Sequence, residues 1–163
     1  MTTPTQPTQP EQKPKTRASL VALVGTACAA TLCSYVPQFE GMILRGYTDP
    51  IGIVTACAGH TRTAVLGKPY TQAECESMLV MDLIDHAEPV LKCTPQLQGR
   101  PHQLAAATSF AFNVGTNAYC HSTMAKRFRA GDYAAGCAEF SKWIHAGGKV
   151  LPGLVTRRKV ERA

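Results

Sequence analysis

The chain has 163 residues, 45% of them apolar, with 17 Lys or Arg against 11 Asp or Glu and a formal net charge of +6. This length supports one domain with a sizeable core and a short appendage. The basic balance suits a polyanion, but no basic run is interleaved with aromatics and no nucleic-acid motif is present. An anionic membrane surface or a carboxylate-bearing bacterial wall is therefore a better expectation than DNA or RNA.

Residues 1–17 are mostly Thr, Pro, Gln and Lys, a composition that predicts disorder. From Ala18 to Phe39 the chain then runs 22 residues without a charge, between Lys13, Lys15 and Arg17 on one side and Glu40 on the other. That is just long enough for a helix to span a hydrocarbon layer, and the preceding positive charge places the N-terminus on the cytoplasmic side. Gly25, Thr26, Thr31, Ser19, Ser34 and several alanines dilute the apolar side chains. Three readings stay open: a cleaved signal peptide ending near Ala29 or Ala30, a buried helix of a soluble protein, or a weak membrane anchor that is later released.

Phe39, Ile43 and Leu44 at helical spacing predict a short helical segment around Glu40. Asp49-Pro50 and Gly52 punctuate a turn, and Ile51, Ile53 and Thr55 alternate as a strand does, so a hairpin follows. Thr71-Gln72-Ala73-Glu74 is a capping box. Behind it Cys75, Leu79, Leu83 and Ala87 repeat at helical spacing, with Pro89 marking the expected end. Pro101 suits the first turn of a helix running through Leu104, Thr108 and Phe112 to Gly115. A short helix is expected at 123–130, another capped by Asp132 through Trp143, and a last one ending near Ala163 after Gly147-Gly148 and Pro152-Gly153. The class is α+β, predominantly helical, with one small sheet. Trp143 fits core packing beside Phe140 and Ile144, Asn113 fits a helix junction, and Lys149 with Arg157-Arg158-Lys159 reads as a solvated helix face.

A carboxylic acid, a carboxylate and a hydroxyl can together cut a glycosidic bond with a positioned water. Glu40, Asp49 and Thr55 supply these groups within sixteen residues. They lie in FEGMILRGYTDPIGIVTACAGHT, residues 39–61, where Gly59-His60-Thr61 closes the strand. SFAFNVG at 109–115, Ser122-Thr123, and GDYAAGCAEFSKWIHAGGKVLPGLVTRRKVER at 131–162 follow in collinear order. Over residues 39–162 these blocks resemble the phage-type lysozymes, glycoside hydrolase family 24. The resemblance implies a lysozyme-like fold, no cofactor, peptidoglycan as substrate, and cleavage between N-acetylmuramic acid and N-acetylglucosamine with inversion. Glu40 would be the general acid, its carboxyl desolvated by the apolar segment before it. Asp49 would be the ionised carboxylate and Thr55 would help hold the water.

Gly59, His60, Thr61, Phe112, Ser122 and Thr123 are substrate-contacting candidates, although His60 better suits a buttress of the turn, hydrogen-bonded to a neighbouring acid, than a third catalytic group. A lytic transglycosylase and a catalytically silent, membrane-anchored wall-binding protein are the competing readings. The weak anchor is similar to that of a subset of phage lysozymes that first tether and later free the enzyme. This divides the chain into 1–17, a signal-anchor-release segment at 18–37, and a catalytic domain at 38–163. The enzyme would begin at the host inner membrane facing the periplasm and then enter the periplasm as a monomer.

Seven cysteines form no CxxC pair and no Cys/His set with zinc spacing, so no metal site is expected. They are either small buried apolar side chains or pairs formed in an oxidising compartment. Cys93 and Cys120 bracket the helix at 101–115 and could meet if it folds back, with Cys57 to Cys75 a second pair. Two residues beyond Thr55, Cys57 faces the same way and is either a core thiol or a redox handle. Cys28 or Cys33, once in the periplasm, could exchange with a disulfide at Cys57.

Overall fold

Gly25 divides the uncharged N-terminal stretch in two. In the computed structural model, which describes residues 15–163, helix α1 (Arg17–Val24) and helix α2 (Thr26–Glu40) are bent by 120° at this residue. Gly25 has a φ of +84°, a left-handed conformation that glycine adopts without the Cβ penalty. The disorder expected for 1–14 lies outside the described residues, but Thr16 already caps α1 through a reciprocal bond with Ser19, so order begins before residue 18. Leu20, Val24, Cys28, Ala29, Leu32 and Val36 are buried in the main core. Each large side chain among them contributes roughly 1.5–3 kcal/mol when removed from water. No single helix among the described residues is long and apolar enough to cross a membrane, although the bent pair passes by length and composition.

Gly41, at a φ of +77°, stops α2 directly after Glu40. Ile43 and Leu44 therefore begin strand β1 (Ile43–Thr48) and are exposed, correcting their expected place on a helix. Strand β2 (Val54–Cys57) pairs antiparallel with β1 in the register Tyr47 to Thr55 and Thr48 to Val54, with an irregularity between Ile43 and Tyr47. Ile51 and Ile53 fall in the connecting turn.

Helix α3 (Gln72–Cys93) opens with the expected Thr71/Glu74 capping box but runs through Pro89 rather than ending there. The proline forfeits its own backbone hydrogen bond. Ala87 and Val90 are buried beside it, and a Cys93–Cys120 disulfide anchors the last turn. After a 3₁₀ turn at Pro95–Leu97, helix α4 (Pro101–Val114) passes through the middle of the protein, every residue from Leu104 to Ala111 buried. Helices α5 (Thr116–Cys120), α6 (Thr123–Arg129) and α7 (Tyr133–Ala138) follow.

The helix expected from Asp132 through Trp143 is α7 continued only as a 3₁₀ turn, Glu139–Lys142. Phe140 and Trp143 both pack edge-on against Phe110 of α4. Gly147-Gly148 makes the tip of a second small hairpin that was not expected, β3 (His145–Ala146) with β4 (Lys149–Val150), before helix α8 (Pro152–Arg162). The second disulfide joins Cys57 to Cys75 and ties the main hairpin to α3; Cys28, Cys33 and Cys137 are free.

Candidate active site

Glu40 is the last residue of α2, and its side chain is 24% exposed. Arg157 of α8 donates from Nη1 to Glu40 Oε1 at 2.6 Å. The carboxyl expected to be desolvated by the apolar segment before it is thus partly exposed and hydrogen-bonded to a guanidinium. Gly59 lies on the other side. A Cβ built on it would stand 3.8 Å from Glu40 Oε2, so the absent side chain leaves the approach to that oxygen open.

Asp49 and Thr55 occupy the turn end of the main hairpin. Asp49 Oδ1 accepts from the backbone N–H of Ile51 at 3.0 Å and of Ile53 at 2.8 Å. Such bonds fix the rotamer of the aspartate. Oδ2 has no hydrogen-bond donor among the described residues. The carbonyl of Ile53 accepts both the Asp49 N–H at 2.9 Å and the Thr55 hydroxyl at 3.2 Å. One carbonyl therefore links the two side chains.

His60 is buried at 2% exposure. Its Nδ1 meets Asp82 Oδ2 at 2.8 Å and its Nε2 meets Thr63 Oγ1 at 2.8 Å. With both ring nitrogens engaged it has none to offer a sugar, and it braces the turn that carries Gly59. Thr61 is exposed beside it. Ser122 is likewise committed: it caps α6 by accepting from Ala125 N–H at 3.1 Å and donates to the Tyr119 carbonyl at 2.6 Å. Its hydroxyl proton is therefore engaged within its own turn. Thr123 is exposed at the start of α6, and Phe112 stacks on His86 with centroids 4.7 Å apart.

The largest correction concerns α8. Arg157 and Arg158, expected on a solvated face, are 4% and 2% exposed. Arg157 places Nε on Glu161 Oε1 at 3.0 Å and Nη2 on the Ser109 carbonyl at 2.8 Å, while Nη1 holds Glu40. Arg158 donates to Glu161 Oε2, to Asn113 Oδ1 and to the Trp143 carbonyl. Asn113 thus serves a guanidinium rather than a helix junction. Burial pushes the Arg158 guanidinium below its ordinary value, and the Glu161 charge opposes that shift. The signal in the sequence was Glu161 at i+4 from Arg157 and i+3 from Arg158.

The phage lysozyme family pattern matches residues 37–161, from three residues before Glu40 to the C-terminal turn of α8. The chain belongs to the phage lysozyme family. This lysozyme is 39% identical over 127 residues to a SAR-endolysin of Bacteriophage PS119, an alignment covering 76% of this chain and 74% of that one. It is 33% identical over 160 residues to a SAR-endolysin of Enterobacteria phage PA-2, covering 91% and 94%. The active form of the P1 phage endolysin Lyz superposes with a TM-score of 0.72 over 90% of this chain and 91% of that one, and at 20% identity it establishes the fold alone. As a member of this family the lysozyme is a muramidase-type hydrolase, and peptidoglycan hydrolysis leading to lysis is its function at family level.

Proposed function

We propose that this lysozyme hydrolyses the β-1,4 bond between N-acetylmuramic acid and N-acetylglucosamine, with Glu40 as general acid and Asp49 and Thr55 managing the water. The observation that carries this reading is the shared Ile53 carbonyl, which joins Asp49 and Thr55 into one unit on the hairpin. Glu40 stands apart on the preceding helix, beside Gly59. Protonated Glu40 gives its proton to the leaving glycosidic oxygen, and the carboxylate so formed meets the Arg157 cation. Asp49, ionised, uses its open Oδ2 to orient the attacking water and to support oxocarbenium-like charge. The Thr55 proton is committed to Ile53, which leaves its oxygen lone pairs to accept from that water. Gly59 and Thr61 offer backbone groups to the sugar, and Phe112 and Thr123 remain candidates for it.

Residues 18–37 are read as a signal-anchor-release segment: a tether in the host inner membrane that later folds into the core as α1 and α2 in the periplasm. Support comes from the uncharged stretch, from the bent pair's length and composition, and from relatives that are SAR-endolysins. While that segment lies in lipid, Leu20, Leu32 and Val36 are missing from the core and Glu40 is held at the bilayer.

Mass spectrometry of fragments released from purified peptidoglycan tests the bond assignment. Reducing N-acetylmuramic acid ends are expected. Anhydro ends would mean transglycosylation, and reducing N-acetylglucosamine ends would mean that the other linkage is cut.

A further inference from the structure

Around Glu40 the charges balance only because of a residue that never reaches the cleft. Glu161 has no exposed side-chain surface. Its Oε1 accepts from Arg157 Nε at 3.0 Å and from the Ser109 hydroxyl at 2.7 Å, and its Oε2 accepts from Arg158 Nη1. Two buried guanidiniums therefore face two carboxylates, one internal and one at the substrate.

We infer that Glu161 is a positioning residue for Glu40: it is the standing counter-ion of Arg157, and it allows Glu40 to become neutral without leaving that guanidinium unpaired. The inference rests on the reading of Glu40 as the general acid. A general acid must hold a proton before each turnover. When Glu40 takes one up, its share of the Arg157 charge is lost. A buried cation left without a partner is costly, so proton uptake would be opposed unless a second anion stays in place. Glu161 is that anion, held by three donors from two helices. Its own negative charge also favours neutral Glu40 through space.

The other groups around the cluster do not take over this part. Helix α4 contributes the neutral Ser109 and Asn113, and α2 places the Phe39 ring against Arg157. Tyr35, His102, Cys137 and Arg162 line a small cavity next to Glu161. Among the described residues none of these four hydrogen-bonds to Arg157 or Glu161. Among the described residues Glu40 and Glu161 are the carboxylates that pair with Arg157 and Arg158, and the C-terminal Ala163 lines the same cavity without pairing with either.

The test is the pH dependence of kcat and KM for the purified, folded full chain on peptidoglycan fragments, with circular dichroism confirming the fold of each variant. Glu161→Gln keeps the shape but removes the charge. Its alkaline limb should move to lower pH by about one unit or more, with KM changed less than about twofold. Glu161→Asp restores the charge and should return the limb toward wild type. If Glu161→Gln does not fold, the double variant Arg158→Met/Glu161→Gln removes one buried cation and one buried anion together. It should move the limb the same way by a smaller amount, because Arg157 still lacks its standing counter-ion while the lost Arg158 charge offsets part of the through-space effect. A wild-type alkaline limb in the folded charge-removed variant would overturn the inference and leave Glu161 a purely structural residue. Glu40→Gln, measured alongside, separates the two readings. If it is inactive while the Glu161 variants keep the wild-type profile, only this inference fails; if it is active, the general-acid assignment fails with it.

Discussion

Lys15 and Asp85 form an ion pair across 70 residues of sequence, and Arg62 engages the other oxygen of the same carboxylate. Arg62 also approaches Asp82, the partner of His60. The residue just before α1 is thus connected, through two aspartates of α3, to the turn that carries Gly59. The pair forms only when the N-terminal segment lies on α3. Lys15 and Asp85 are 28% and 22% exposed, so solvent screens part of the attraction. Asp85→Asn and Lys15→Met should each cost about 1 kcal/mol or less, a Tm fall of roughly 2–4 °C at most. Limited proteolysis near residues 15–24 should also accelerate. Unchanged proteolysis in both variants would mean that the pair does not hold the segment.

Glu40→Gln keeps the hydrogen bond to Arg157 within reach but has no proton to give. Turbidity loss of chloroform-treated Gram-negative cells should slow by about a thousandfold or more. Asp49→Asn should also cost heavily, whereas Thr55→Ser retains an oxygen and much of the rate. Near-wild-type lysis by purified Glu40→Gln protein would sink the assignment.

Gly46 allows the loop after the hairpin to lie against β1. A Cβ there would stand 1.9 Å from the Val65 carbonyl oxygen, and backbone cannot swing aside as a flexible side chain can. Gly46→Ala should therefore destabilise by about 1–3 kcal/mol and reduce kcat by disturbing the strand leading to Asp49. Thermal melts and lysis rates check both effects; a variant equal to wild type in both would show that the loop yields freely.

Closing the Cys93–Cys120 loop of 27 residues stabilises by about 3 kcal/mol in the chain-entropy picture. The double variant Cys93→Ser/Cys120→Ser should melt about 6–12 °C lower than wild type. The end of α3 should feel it most, because Pro89 has already weakened that helix. Hydrogen exchange that speeds no more around residues 85–97 than elsewhere would rule out this local role.

Leucine at Gly25, Thr26 and Thr31 makes the anchor more apolar and removes the one residue suited to the left-handed conformation at the bend. The variant should stay in the membrane fraction and fail to lyse cells. Lysis on the normal schedule would refute the release proposal, as would a mature N-terminus near residue 30, which points to signal-peptide cleavage.

Local signals were readable from the amino-acid order. The Thr71/Glu74 box, Pro101 and Gly115 at the two ends of α4, and the Asp49-Pro50 turn act over a few residues, where backbone sterics and one or two hydrogen bonds decide the outcome. The same reach explains the errors. Pro89 costs a local bond, but the packing of Val90 and a disulfide from distant Cys120 outweigh it. Ile43 and Leu44 have helical spacing, yet Gly41 had already ended the helix.

The order of residues by itself determined the helical class and the hairpin after Glu40, and it left the cysteines open between buried thiols and the pairs that the structure forms. Only the tertiary structure decided that Arg157 and Arg158 lie inside. A guanidinium is buried only where its donors find acceptors, and for Arg157 these are Glu40 on α2, the Ser109 carbonyl on α4 and Glu161 on α8. Two of the three come from parts of the chain far from Arg157, so the burial of this cation, and the setting of the acid it touches, arises only when those helices pack together.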